Sequence, residues 1–70
     1  MQGRDEIRKA LAKAIRAARI ARGLTLQQAA DKYGCTLRGW QFFESGQDLR
    51  VSTLYRLAKA LDVPVHKLLR

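Results

Sequence analysis

The sequence predicts an all-α fold, a compact domain of five helices. Three observations carry that reading. Apolar residues recur at three- and four-residue intervals in one segment after another, the spacing that gathers them on one face of a helix. Gly23, Gly34 and Gly46 punctuate these segments where helices need to stop. The run Thr25–Gly46, TLQQAADKYGCTLRGWQFFESG, reads as two short helices joined by a tight turn at Gly34. Seventy residues suffice for one such domain with a small core.

The first helix is expected over Asp5–Arg22. Asp5 and Glu6 stand at its positive end, where carboxylates cap free N–H groups or favour the helix dipole. Ile7, Leu11, Ile15 and Ala18 make its apolar face. Ala10, Ala12, Ala14, Ala17 and Ala21 raise helix propensity and permit close packing. Arg8, Lys9, Lys13, Arg16, Arg19 and Arg22 spread positive charge over the remaining faces. Gly23 ends the helix, with Leu24 packing back on the last turn.

Thr25 is the expected N-cap of the second helix, and Gln28, three residues on, completes a capping box. Leu26, Ala29, Ala30 and Tyr33 supply the apolar content, and the two alanines let another helix come close. Gly34 suits a left-handed turn position. Thr36 caps the third helix, at about Leu37–Glu44. Trp40 and Phe43 share a face at i,i+3 spacing and fill the interhelical core with Cys35. Thr36, Leu37, Arg38, Gln41 and Phe42 are then left on the exposed side or its edges. Gly39 costs roughly 1 kcal/mol against alanine inside a helix. It either admits another backbone or makes room beside Trp40. Ser45–Arg50 is a loop, with Gly46 as C-cap. A fourth helix from Ser52 to Leu61 buries Leu54, Leu57, Ala58 and Leu61. After a break at Asp62–Pro64, a last short helix over Val65–Leu69 returns Leu68 and Leu69 to the core.

Fourteen Lys and Arg face six Asp and Glu, a net charge of +8. Such an excess attracts polyanions and speeds encounter with them. One cysteine precludes an internal disulfide, and one cysteine with one histidine are too few for a structural zinc site. No apolar run approaches the roughly 20 residues that span a bilayer. The charged N-terminus lacks the apolar stretch of a secretory signal. The expectation is a cytoplasmic protein with no membrane partner, no metal and no cofactor. Cys35 reads as core, and His66 as a surface or packing residue. There is no nucleophile–base pair and no phosphate-cradling glycine motif, so no catalytic residue is assigned and the chain reads as a non-enzyme.

Four segments carry a resemblance: IRAARIARG (Ile15–Gly23), LTLQQAADKYG (Leu24–Gly34), FESG (Phe43–Gly46) and STLYRLAKALDVPVHKLL (Ser52–Leu69). In order and spacing they resemble the lambda-repressor-like (Cro, XRE) family of helix-turn-helix DNA-binding domains. The resemblance divides the chain into an N-terminal extension of the first helix, residues 1–14, and a helix-turn-helix domain, residues 15–70. It implies that the third helix enters the major groove while the second crosses the backbone. It implies that Arg19 pairs with Glu44 through its planar fork, locking the first helix to the end of the third. Gly34 matches the glycine of the turn, Cys35 a small apolar position, and Trp40 and Phe43 buried positions. The sequence departs from the family at Leu26, where a glutamine that contacts phosphate or base is common; Gln27 and Gln28 are the neighbours for that role. It departs again at Leu37 and Phe42, where polar residues are usual, and in a loop about one residue shorter after Gly46.

On this reading Arg38 bonds a guanine edge through O6 and N7, Gln41 reads adenine, and Thr36 or Leu37 packs on a thymine methyl group. Arg16, Arg22, Gln27, Gln28, Lys32, Gln47 and Arg50 form the pool of phosphate contacts. The expected function is that of a sequence-specific double-stranded DNA-binding transcriptional regulator, a repressor acting as a homodimer on a palindromic operator. Val63–Arg70, with Val65, Leu68 and Leu69, is the expected dimer surface, and the extended first helix competes with it. The alternative is an antitoxin-like or other protein-interaction module, in which Leu37 and Phe42 form an apolar patch for a partner such as a toxin. Phe42 folded under the following loop is the plainer reading of that residue. Tyr55 is a core-edge aromatic or a phosphate ligand. RNA is disfavoured, because the A-form major groove is deep and narrow.

Overall fold

The computed structural model describes residues 3–69. Its elements are α1 (Arg4–Ala21), α2 (Leu26–Tyr33), α3 (Leu37–Phe43), α4 (Val51–Leu61) and a closing 3-10 turn at Val65–Lys67. No strand occurs among the described residues. Met1 and Gln2 of the expected extension, and Arg70 of the expected dimer segment, lie outside the described residues.

Helix α1 starts at Arg4, one residue earlier than expected, with Gly3 as an N-cap that has no side chain to offer. Asp5 and Glu6 therefore sit inside the first turn rather than capping it, and Asp5 pairs with Arg8. Ile7 is 62% exposed, which corrects the expected apolar face. The first turns of α1 run past the other helices, so burial begins with Leu11 and Ala12 and reaches its full extent at Ile15. The helix closes as the glycine pattern predicts. Gly23 takes φ +68 and donates to Ile20 O at 2.9 Å, while Leu24 N reaches back to Arg19 O at 3.2 Å. This paired closure satisfies carbonyls that the helix itself leaves free.

Thr25 Oγ1 accepts the Gln28 N–H at 3.1 Å, and Gln28 Oε1 accepts the Thr25 N–H at 2.9 Å, completing the capping box that starts α2. Gly34 ends α2 at φ +93, a left-handed conformation that only glycine adopts freely. Ala29 and Ala30 are buried and let both α3 and α4 approach α2. Helix α3 opens on Thr36, whose Oγ1 accepts the Gly39 N–H at 3.1 Å. A Cβ at Gly39 would meet Cys35 Cβ and Thr36 Oγ1, each at 3.4 Å. These are ordinary contact distances to the capping turn, and no backbone of another element is among the nearest atoms.

Helix α4 starts at Val51, one residue before the expected Ser52, with Arg50 in the N-cap position and no side-chain cap. Leu54, Leu57, Ala58 and Leu61 meet Ile15, Ala29, Ala30 and Trp40 in one core. Burying each Leu or Ile is worth roughly 1.5–3 kcal/mol. The fifth expected helix is only the 3-10 turn, opened by Pro64 at φ −64. So short a turn returns one leucine to the core and not two. Leu68 is 1% exposed and Leu69 59% exposed.

Candidate nucleic-acid interface

Helix α3 has two unlike sides. Trp40 is fully buried and Phe43 half-buried, and they meet edge to face at 5.7 Å, with Tyr33 stacked edgewise on both. Such ring pairs add roughly 0.5–1.5 kcal/mol beyond area burial. Leu37, Arg38, Gln41 and Phe42 are all exposed on the other side, as the sequence predicts. Phe42 does not fold under the loop: it is 49% exposed and touches only the edge of Phe43 among the aromatic rings. Thr36, next to this face, has its hydroxyl oxygen engaged in the cap.

The C-terminal end of α3 is tied down by charge. Arg19 Nε donates to Glu44 Oε2 at 2.7 Å, and its Nη2 approaches Oε1 at 3.4 Å. Arg19 Nη1 also donates to Leu24 O at 2.9 Å. The two side chains are 12% and 10% exposed, so the pair is largely withdrawn from solvent. Glu44 Oε2 accepts a further bond, from the Trp40 indole N–H at 2.5 Å. The pairing of Trp40 with Glu44 was not foreseen, although their i,i+4 spacing is the available signal.

The phosphate candidates fall into separate groups. Arg16, Gln47 and Arg50 are exposed. Gln27 Nε2 donates to Asp31 Oδ1 at 2.9 Å, and Gln28 uses its carbonyl in the capping box. Lys32 lines an open cleft of about 390 Å3 between α2 and α4, with Tyr33, Arg56, Lys59 and Ala60. There the Arg56 guanidinium sits 4.5 Å from the Tyr33 ring centre, a cation–π contact that sequence reasoning missed. Arg22 stands apart from the expected pool. Its Nε donates to Leu61 O at 3.0 Å, and Nη2 bonds Asp62 O and lies 3.2 Å from Asp62 Oδ2. A cation at the negative end of a helix is favourable, so Arg22 closes α4 as well as ending α1.

On the expected dimer surface Val65 is half-buried and Leu69 exposed, but Leu68 is withdrawn into the core and offers nothing to a partner. Tyr55 and His66 are exposed. Cys35 is half-buried, and burial pushes its thiol pKa above the ordinary value, with Arg56 opposing and Asp31 adding to the shift. Among the described residues no group of His, Cys, Asp and Glu is placed to hold a metal. No described helix is long and apolar enough to cross a membrane.

The helix-turn-helix family profile matches residues 15–68. Two solved structures are similar. The hypothetical transcription factor NHTF from Neisseria has a TM-score of 0.85 at 22% identity, covering 100% of this chain and 82% of that one. The clp gene regulator ClgR from C. glutamicum has a TM-score of 0.83 at 26% identity, covering 90% of this chain and 83% of that one. No curated protein matches the chain. The chain belongs to the helix-turn-helix family, in its lambda-repressor-like (XRE) branch of DNA-binding transcription regulators.

Proposed function

We propose that this chain reads a specific double-stranded DNA sequence and represses transcription as a homodimer on a palindromic operator. The observation that carries the reading is the outward pair Arg38 and Gln41 on α3, a helix whose inward side is held by Trp40 and Glu44. Arg38 bonds O6 and N7 of guanine, Gln41 reads adenine, and Thr36 or Leu37 packs on a thymine methyl group. Arg16, Gln47 and Arg50 bind phosphates beside this face, with Lys32, Gln27 and the free amide of Gln28 as further contacts. Two copies meet through Val65 and Leu69, giving half-sites spaced by about one helical turn.

The test is selection of bound duplexes from a random pool at fixed near-physiological salt, with Arg38→Ala and Gln41→Ala proteins in parallel. A palindromic motif that loses roughly 1–3 kcal/mol of base discrimination in the variants is expected. Enrichment without a motif, unchanged in the variants, overturns the reading. One observation favours a second reading. Exposed Phe42, beside Leu37, is an apolar patch of the kind that docks a protein such as a toxin. Phe42→Ala then abolishes partner binding and leaves duplex affinity intact.

A further inference from the structure

We propose that the side of α1 bearing Lys9, Lys13 and Arg16 is a second DNA-binding surface, on which these residues hold the backbone phosphates flanking the bases read by α3. The proposal rests on the DNA reading above, in which Arg16 is already a phosphate contact, and extends it to Lys9 and Lys13. Positions 9, 13 and 16 follow the spacing that stacks side chains along one side of a helix, and all three residues are exposed. They line a groove of about 240 Å3 whose opposite wall is Ser45 and Gly46, the segment that leaves α3. The Lys9 stem lies over Gly46: a Cβ built there would sit 4.0 Å from Lys9 Cγ. Glu44, the carboxylate of this groove, is engaged by Arg19 and Trp40. Asp5 is paired with Arg8, and none of the ion pairs among the described residues includes Lys9, Lys13 or Arg16.

The geometry points to DNA rather than to a small anion. A row of cations along a helix side matches the spaced charges of a phosphate backbone, and the row starts where the chain departs from α3. From Lys9 to Arg16 the row rises about 10 Å at 1.5 Å per residue.

The experiment measures affinity for the selected duplex against salt, from about 50 to about 300 mM, for the full chain and for Lys9→Ala/Lys13→Ala. Loss of two phosphate contacts lowers the log–log salt slope by about 1.8, with the base preference unchanged. Lys9→Arg/Lys13→Arg restores the slope, and trimming the duplex to the motif alone removes the difference between wild type and the alanine variant. An unchanged slope in the alanine variant, with the wild type still binding strongly, overturns the proposal. A wild type that shows no salt-dependent duplex binding overturns the DNA reading itself.

Discussion

Trp40 donates its indole N–H to the carboxylate of Glu44 one turn further along α3, at 2.5 Å. The same oxygen receives Arg19 from α1. One carboxylate thus joins the buried side of α3 to the first helix and sets the direction in which Arg38 and Gln41 face.

Glu44→Ala strands the Arg19 guanidinium in surroundings that are nearly dry. Breaking a buried pair costs roughly 3–5 kcal/mol, and the residual exposure of both side chains puts the expected loss near the low end. Glu44→Gln keeps an acceptor for Trp40 and loses less. Urea unfolding midpoints of the two variants check both the size and the order.

Arg22→Ala lowers stability by about 1 kcal/mol, because charge-assisted bonds to the end of α4 are lost from a half-exposed site. The salt dependence of duplex binding is expected to stay at the wild-type slope. A lower slope would return Arg22 to the phosphate contacts.

Gly34, in the turn, and Gly39, inside α3, respond in opposite directions. Gly34→Ala forces a side chain into a left-handed backbone and costs roughly 1–2 kcal/mol, although a Cβ there meets nothing within 4 Å. Gly39→Ala meets neighbours at ordinary contact distance and gains helix propensity, for a rise of roughly 0.5 kcal/mol. Thermal melts of both variants separate backbone strain from steric crowding.

Cys35 makes stability fall with alkaline pH. Burial holds its proton more tightly in the folded chain than in the unfolded one, so the unfolded state loses the proton first as pH rises. The contribution is whole below the unfolded thiol pKa and is lost as pH climbs through the raised folded value. Cys35→Ala flattens that limb in pH-dependent unfolding, and at neutral pH the native thiol is alkylated more slowly than a free one.

Uracil in place of thymine removes the methyl group on which Leu37 packs in the proposed complex. Affinity for the selected site is expected to fall by about 0.8 kcal/mol per methyl. In Leu37→Ala the thymine and uracil duplexes bind alike, as a titration of each would show.

Local features were the legible ones. The Thr25–Gln28 box and the Gly34 turn depend on residues within one helical turn, so spacing alone announced them. The outward side of α3 followed from the inward pair Trp40 and Phe43. The Arg19–Glu44 bond spans 25 positions and was expected only through the family resemblance. Arg22 reaching Leu61 and Asp62, and Arg56 covering Tyr33, had no such guide, since periodicity names a face but not what lies opposite it. Ile7 failed for the same reason: it continues the α1 pattern beyond the end of the surface that the pattern packs against. Leu68 and Leu69 were assigned together because a full helix was expected where the chain has room for one tight turn.

At seven residues, α3 is too short to persist as an isolated helix. It is held by Thr36, Trp40, Phe43 and Glu44, none of them among the four outward residues. The outward positions are therefore interchangeable lettering on a fixed plate. In the proposed complex, a combinatorial library at Leu37, Arg38 and Gln41 is expected to rewrite target preference while the melting temperature stays nearly constant, so new target sequences are reachable without passing through unfolded intermediates.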